Sequence, residues 1–265
     1  MLFNSKFSKG MKVLLLKNKT AQLDRYEVLF RSSGFEPEFV PLITHTHVTA
    51  DFFDLLTEPG YLEGLKNIII TSQRTVECLC ESVLPILDDQ TRSKLLHKTV
   101  YTVGPVTKDF LIRIGFKEVR GGEDAGNGNL LAEIIIADLL NTTDDQKISE
   151  ILFLVGEIRR DIIPKKLSYK GIKTKEVIMY RTKNLGDTLL RFQTAIEDNA
   201  WVVFFSPQGT DEILNSFNVE HHENIKIASI GPTTEEYLEN NGIKPNVVSS
   251  KPDAESLLKA MQSYL

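Results

Sequence analysis

Short apolar runs alternate with amphipathic segments along this chain, and small residues stand where one gives way to the other. The stretch Lys226–Gly242, KIASIGPTTEEYLENNG, contains the whole pattern. Its apolar run predicts a buried parallel strand. Gly231 permits a turn, Pro232 suits the first position of a helix, and Asn241 followed by Gly242 predicts the end of that helix.

The same order of strand, Gly-Pro turn and helix occurs a second time at Val100–Gly115, VYTVGPVTKDFLIRIG. Other segments pair between the two halves: KVLLLK with ILFLV, FEPEFVPL with KTKEVIMY, and IIITSQRT with VFFSPQGT. We interpret this as an internal duplication of a β/α unit. Alternating strands and helices indicate parallel sheets covered by helices on both faces, so the sequence predicts two α/β domains with a cleft between them.

Four segments carry further expectations of local structure. Phe35–Ile43 contains two prolines and is predicted to be extended at the edge of a sheet. Helices are predicted over Gln73–Leu87 and over the basic segment Ile158–Tyr169. The polar start of the chain, Met1–Gly10, is predicted to be a disordered tail.

Composition narrows the class of protein. The 265 residues are 42% hydrophobic and 25% charged, and the net charge of -5 argues against a general nucleic-acid or anionic-membrane surface. No apolar run approaches the roughly 18 residues that span a bilayer, and no secretory signal is evident. Cys78 and Cys80 point to nearly opposite sides of a predicted helix, so we expect reduced thiols and a cytoplasmic protein.

Small hydroxyl, glycine and basic residues follow the predicted strands in both halves. Parallel sheets bind ligands at the carboxyl ends of their strands, and free amides at a helix start bind carboxylate or phosphate groups. The set therefore predicts a cleft for a ligand with several negative groups. Each position alone is more often only a helix cap, at odds of roughly three to one, or a turn. The positions are Thr71, Ser72 and Arg74, Gly104 to Thr107, Gly126 to Asn129, Gly156 to Arg160, Ser206 to Gly209, and Gly231 to Thr234.

Familiar catalytic motifs are missing from the sequence, which has no GxGxxG, no Walker A loop and no GxSxG elbow. None of the five histidines, His45 and His47 among them, has metal-ligand spacing, so hydrogen-bonded or exposed histidines are expected. An enzyme of this kind would use no metal, cofactor or covalent nucleophile and would act by holding a reactive substrate in one geometry. Tyr180 can move a proton in the cleft, or it can simply pack on a half-buried strand.

Eight motifs follow one another along the chain: KVLLLK, IIITSQRTVE, VYTVGPVT, GNGNLLAEII, FLVGEIRRDIIPKKL, VIMYRT, VVFFSPQGT and IASIGPTT. Taken together and in this order, they resemble the uroporphyrinogen-III synthase family. The likeness runs from Met11 to the end of the chain. It implies an α/β fold of two doubly wound parallel-sheet domains joined by a two-stranded β-ladder, with a cleft between them. The implied division is a tail at 1–10, one domain at 11–35 plus 183–265, a second at 45–173, and ladder strands at 36–44 and 174–182.

The resemblance also implies an activity. The family closes the linear tetrapyrrole hydroxymethylbilane into uroporphyrinogen III, with loss of water and inversion of ring D, in haem biosynthesis. It uses no metal and no organic cofactor. An acid would help the hydroxyl group to leave, a cationic azafulvene would form, and attack at the substituted position of ring D would give a spiro intermediate. The substrate is a polycarboxylate, which suits the free amides at the predicted helix starts.

Family site positions can be carried over residue by residue. Tyr180 matches the tyrosine that is most often proposed to assist loss of the hydroxyl group. Gln73 is a departure, because proline is common there in the family, and it is expected to loosen that loop without removing its donors. Positions that would contact substrate carboxylates, largely through backbone amides, are Thr71, Ser72, Arg74, Thr107, Ser206, Gly209, Thr233 and Thr234.

Two alternatives to an active synthase stay open at this point. One is a non-catalytic two-domain protein that closes on an anionic metabolite, and the other is a regulatory homologue without activity. Tight tetrapyrrole binding without conversion would indicate the first. For the synthase we expect a small-molecule substrate, no nucleic-acid or membrane partner, and a monomer.

Overall fold

A computed structural model describes residues 10–20, 23–140, 150–217 and 224–265. The chain divides into two compact units: unit 1 comprises Met1–Thr44 and Lys183–Leu265, and unit 2 comprises His45–Thr182. Within the described ranges, no helix has the length and apolar character needed to cross a membrane. The predicted tail lies outside the described residues apart from Gly10.

The strands of the described residues form two sheets, one within unit 1 and one mainly within unit 2. Most are short and apolar, as the sequence pattern predicts. In chain order they are β1 (Met11–Leu16), β2 (Phe35–Phe39), β3 (Ile43–His47), β4 (Asn67–Ile70), β5 (Thr99–Val103), β6 (Glu118–Gly122), β7 (Ile151–Gly156), β8 (Thr174–Asn184), β9 (Trp201–Phe204), β10 (Lys226–Ser229) and β11 (Val247–Val248).

Helices follow most of the strands, which is the alternation expected of an α/β fold. In chain order they are α1 (Arg25–Ser32), α2 (Ala50–Thr57), α3 (Tyr61–Gly64), α4 (Gln73–Cys78), α5 (Asp89–Leu96), α6 (Pro105–Arg113), α7 (Gly128–Leu140), α8 (Ile162–Tyr169), α9 (Thr188–Ala195), α10 (Asp211–Phe217), α11 (Pro232–Asn240) and α12 (Ala254–Tyr264).

The sheet of unit 1 has the strand order β11-β10-β9-β1-β2, and every neighbouring pair is parallel. β1 is an interior strand of this sheet: Val13, Leu14, Leu15 and Leu16 are all apolar and buried, so both of its faces contact apolar side chains. Residues of α9, α10 and α11 cover one face, and residues of α1 and α12 cover the other. The strand order switches direction between β1 and β9.

The sheet of unit 2 has the order β3-β8-β7-β4-β5-β6, and the pairs from β8 to β6 are parallel. The runs Ile68–Ile70 and Ile151–Val155 are buried along their whole length, which places β4 and β7 in the middle. Helices α2 to α6 contribute to the core on one face, and α7 and α8 to the core on the other. Here the order switches direction between β4 and β7.

The segment predicted to be extended at Phe35–Ile43 contains β2, and its last residue is the first residue of β3. Pro37 lies within β2 at the edge of the sheet of unit 1, where a missing amide hydrogen is tolerated. The amide of Val40 still donates to β1, but Pro41 has no amide hydrogen and the strand has ended. β3 then begins at Ile43 and lies beside β8.

Two helix predictions need correction. The helix predicted over Ile158–Tyr169 begins only at Ile162, because proline is tolerated in the first turn of a helix and Pro164 is the third residue of α8. The helix predicted over Gln73–Leu87 is α4 followed by a π-helical turn at Leu79–Val83. The short helices α3 and α5 were missed, because neither is long enough to show a clear apolar periodicity.

Candidate functional site

Tyr180 lies in β8, and a β-bulge sets the direction of its side chain. β7 and β8 pair in parallel with Val155 opposite Ile178, and the register then shifts so that Gly156 lies opposite Tyr180. A bulge of this kind bends the strand and turns a side chain out of the usual alternation. The phenol therefore crosses the end of β7 and reaches the end of β4, where its hydroxyl oxygen is 3.0 Å from Ser72 Oγ.

Gly156, the last residue of β7, provides the space that the Tyr180 ring occupies. A Cβ atom at this position would lie 2.5 Å from Cζ of Tyr180 and 2.6 Å from its hydroxyl oxygen. Carbon atoms of real side chains do not approach that closely, because dispersion attraction has already turned to steep repulsion. The ring can cross the sheet at this point only because residue 156 has no side chain.

Ser72 is the N-cap of α4, and its hydroxyl also contacts Tyr180. Its Oγ accepts a hydrogen bond of 3.2 Å from the amide of Arg74. A serine hydroxyl has one hydrogen and two lone pairs, so Ser72 can donate to the phenol oxygen or accept from it while it caps the helix. Either hydroxyl group can therefore be the donor in the hydrogen bond between Ser72 and Tyr180.

A cavity of about 400 Å³ opens beside Tyr180 at the carboxyl ends of β4 and β7. The strand order of this sheet switches there, which is where open α/β sheets bind ligands. Arg159 and Arg160 lie at the cavity and give it positive charge. Arg159 is paired with Glu176, and Arg160 is exposed. The lining includes Thr71, Ser72, Phe153, Val155, Ile158 and Tyr180.

Two predicted site residues of unit 2 lie apart from the lining of this cavity. Arg74 is in the first turn of α4, with its Nη1 atom 2.6 Å from a carboxylate oxygen of Glu77. Thr107 is in the first turn of α6, and its side chain is buried. The N-cap of α6 is Gly104, and no side chain caps the helix, so Thr107 has its backbone amide in an uncapped first turn.

His45 is a neighbour of Tyr180 and is not among the site residues predicted from the sequence. The two rings meet edge to face, with centroids 5.7 Å apart and planes at 84°. Burial lowers the pKa of His45, and the nearby positive charge of Arg74 lowers it further, so the imidazole is neutral at pH 7. The alternation in ITHTH indicates that His45 and His47 share one face of β3, but it cannot show what that face contacts.

Unit 1 has a separate cavity of about 350 Å³ at the carboxyl ends of β9, β10 and β11. Ser206 and Thr233 lie exposed at this cavity, and Thr234 contributes to it although its side chain is mostly buried. Neither threonine caps α11: the N-cap is Gly231, and no side chain caps the helix. The first turn of α11 therefore has no side-chain acceptor for its amides.

Gly209 is placed differently from the other predicted residues of unit 1. Its φ angle of 78° is in the left-handed region, which favours glycine. A Cβ atom there would lie 3.0 Å from Cβ of Leu42, so Gly209 allows a close approach of two chain segments. This packing requirement accounts for a glycine at position 209 without reference to any ligand.

The geometry of unit 2 combines a phenol and a serine hydroxyl that share a hydrogen bond, a partly apolar cavity and two arginines. Such a site can bind an anionic organic molecule and transfer a proton to it or from it. Among the residues that the structure describes, no group of three or more His, Cys, Asp or Glu side chains is placed to hold a metal ion.

Comparison with known sequences connects this chain to one family. The family model described as uroporphyrinogen-III synthase HemD (HEM4) matches residues 24–259. The uroporphyrinogen-III synthase of Saccharomyces cerevisiae (strain ATCC 204508 / S288c) is 54% identical over 267 residues, which cover 97% of each chain. That of Schizosaccharomyces pombe (strain 972 / ATCC 24843) is 37% identical over 262 residues, covering 95% of this chain and 96% of the other.

Solved structures give the same result for the fold. The crystal structure of uroporphyrinogen-III synthetase from Helicobacter pylori 26695 has a TM-score of 0.65 and 19% identity, and covers 96% of this chain and 100% of the other. A mutant uroporphyrinogen III synthase from the extremely thermophilic bacterium Thermus thermophilus has a TM-score of 0.55 and 15% identity, covering 96% and 98%. The predicted α/β fold with two parallel sheets is confirmed. The family model and the yeast relatives show that the chain belongs to the uroporphyrinogen-III synthase family.

Proposed function

We propose that this chain closes hydroxymethylbilane into uroporphyrinogen III and that the site around Tyr180 in unit 2 carries the chemical step. Family membership supports the reaction. The location rests on one observation, the hydrogen bond of 3.0 Å between Tyr180 and Ser72 beside a partly apolar cavity. This arrangement offers an exchangeable proton next to a space that can hold a pyrrole ring.

Tyr180 is the proposed acid. Departure of the hydroxyl group from hydroxymethylbilane needs a proton at the leaving oxygen, and a phenol within hydrogen-bond reach can supply it. Ser72 orients the phenol, because its hydroxyl bonds to the Tyr180 oxygen while it is fixed as the cap of α4. The azafulvene cation would then be attacked by the substituted carbon of ring D. Apolar residues such as Phe153 and Val155 would limit access of water, which would otherwise add back to the cation.

The remaining predicted residues are proposed to hold the carboxylates of the substrate. In unit 2, these are Thr71, Arg74 and the backbone amide of Thr107 in the uncapped start of α6. In unit 1, they are Ser206, Thr233 and Thr234. Ser206 and Thr233 are exposed, and no side chain caps the start of α11. Gly209 would contribute through its backbone amide, in addition to its packing role.

We further propose that the protein is a cytoplasmic monomer. Its thiols support the first part: Cys78 is buried and free, and Cys80 is half-buried and free, as expected in a reducing compartment. Light scattering of the purified protein tests the second part, and a mass of two chains would contradict it.

An isomer assay tests the proposed function. Hydroxymethylbilane is incubated with the purified protein, and the uroporphyrinogen isomers are separated after oxidation. We expect the type III isomer in place of the type I isomer that forms spontaneously. Type I product from well-folded protein would overturn the proposal. If calorimetry then showed tight binding of the tetrapyrrole, the non-catalytic binding protein would be the better description.

A further inference from the structure

His45 contacts Tyr180 on the strand next to it. Their rings are 5.7 Å apart between centroids and nearly perpendicular, at 84°. Edge-to-face pairs of this kind are favourable, because the positive edge of one ring meets the negative face of the other. The Tyr180 ring is thus in contact with Gly156, with Ser72 at its hydroxyl group, and with His45.

The imidazole of His45 is itself tied to the strand that carries Tyr180. Its Nδ1 atom is 3.1 Å from the hydroxyl oxygen of Thr182, two residues beyond Tyr180 in β8. The hydrogen bond fixes the orientation of the imidazole, and the imidazole in turn limits the positions open to the phenol ring. His47, on the same face of β3, instead bonds to Ser82 with Nδ1 2.6 Å from Oγ.

The charged and titratable groups around His45 are Arg74 and Glu77 from α4, His47 from its own strand, and Tyr180 from β8. Arg74 and Glu77 are paired with each other at 2.6 Å. Because Glu77 is paired with Arg74, it does not form an ion pair with His45, and a neutral imidazole suits this environment. A neutral ring packs against the phenol without adding a second cation beside Arg74.

We propose that His45 is a positioning residue for Tyr180: its ring holds the phenol over Gly156 and toward Ser72, and its bond to Thr182 holds the ring. The inference rests on the proposed role of Tyr180 in the reaction. In this role, His45 does not itself contact the substrate. Its effect on the rate is exerted only through the orientation of the phenol.

Kinetics of His45 variants test the proposal. We expect His45→Ala to lower kcat about tenfold with little change in KM, because a misplaced catalytic group slows the chemical step without weakening substrate binding. His45→Phe keeps an aromatic edge against Tyr180 and should restore most of the rate. The proposal would be overturned if His45→Phe were as slow as His45→Ala. It would also be overturned if His45→Ala raised KM about tenfold and left kcat unchanged.

A double-mutant cycle tests whether the effect passes through Tyr180. In a Tyr180→Phe background, His45→Ala should cause no further fall in kcat, because the hydroxyl group that it positions is gone. A further tenfold fall in that background would show an independent role and overturn the proposal. His47→Ala is the matched control. It also removes an imidazole from this face of β3, but the imidazole of His47 contacts Ser82 and not Tyr180.

An NMR measurement without substrate separates this proposal from the proposed function. In protein with labelled tyrosine, the Tyr180 ring, assigned with Tyr180→Phe, should show cross-relaxation with the α-protons of Gly156. We expect this signal to weaken in His45→Ala and to persist in His45→Phe and His47→Ala. An unchanged signal in folded His45→Ala overturns the positioning role. A weakened signal in a protein that makes no type III isomer supports the positioning role while the proposed function fails.

Discussion

The place of the Tyr180 ring depends on the absence of a side chain at Gly156. The phenol belongs to β8, its hydrogen-bond partner Ser72 follows β4, and β7 lies between these strands. Only a residue without Cβ at the end of β7 lets the ring pass across it. At the scale of single residues, the site therefore depends on one glycine as much as on the polar side chains.

Replacement of Gly156 tests this dependence. Gly156→Ala would place a Cβ atom 2.5 Å from Cζ of Tyr180, so the ring must move and its bond to Ser72 must lengthen or break. We expect the rate of type III formation to fall about tenfold or more. The measurement is kcat beside the melting temperature.

Gly64→Ala provides the control for that experiment. A Cβ atom at Gly64 would meet no atom within 4 Å, and this glycine lies at the end of α3. Its rate should equal that of the wild type. If Gly156→Ala were as active as this control, the ring would have another place and the account of the site would be wrong.

Individual strands and helices were predictable where one apolar pattern determines them. The fully apolar runs of β1, β4, β7 and β9 indicate central parallel strands, and the structure places them there. The bulge that aims Tyr180 was not predictable, because it lies in the pairing register of β7 and β8 and not in either strand alone. The contact of His45 with Tyr180 is missed for the same reason: it joins residues far apart in sequence.

The start of α1 in unit 1 depends on a buried carboxylate. Asp24 is 2% exposed and is the N-cap of the helix, accepting from the amide of Tyr26 at 2.9 Å. Burial alone would raise its pKa, but hydrogen bonds from Thr20 and Lys17 outweigh that effect and hold the pKa below the usual 3.8. The Nζ atom of Lys17 is 3.0 Å from the carboxylate.

Asp24→Asn keeps the helix cap and removes the charge. We expect a loss of about 2 kcal/mol in the free energy of unfolding at pH 7, because the hydrogen bond to a charged partner is lost and Lys17 keeps a poorly compensated charge. Since the pKa is lower in the folded state, the stabilisation by Asp24 is complete above pH 3.8 and is lost as the pH falls through the folded pKa. The difference between wild type and variant should therefore narrow in acid.

Denaturant titrations at several pH values measure this difference. Asp88→Asn is the matched control, because Asp88 caps α5 by accepting from the amides of Gln90 and Thr91 and is exposed. Asp88→Asn should lower the free energy of unfolding much less than Asp24→Asn does. A deficit for Asp24→Asn that stays constant down to pH 2 would exclude the proposed charge effect.

The whole molecule consists of two units with separate sheets and cores. Unit 2 is one continuous stretch, His45–Thr182, whereas unit 1 combines both ends of the chain. The internal duplication indicated two α/β halves, and the predicted α/β fold is confirmed, but the apolar pattern alone could not show which ends of the chain pair. That pairing is set by contacts between β1 and β9, which are distant in sequence.

A fragment tests whether unit 2 is an independent folding unit. The fragment 41–184 contains β3 and β8 in full, and with them every strand of this sheet that the structure describes. Its two apolar clusters lie on both faces of that sheet, so we expect cooperative thermal unfolding by circular dichroism. Gradual loss of signal without a transition would show that unit 2 needs unit 1 in order to fold.

The most direct test of the central claim is the rate of type III formation by Tyr180→Phe. The variant keeps the ring over Gly156 and removes only the hydroxyl group that bonds to Ser72. Tyr61→Phe, in α3, is the control for loss of a phenol elsewhere in unit 2. We predict that Tyr180→Phe lowers kcat about 100-fold while its melting temperature stays close to that of the wild type and Tyr61→Phe remains fully active. A Tyr180→Phe enzyme with the wild-type rate would contradict the account and remove Tyr180 from the mechanism.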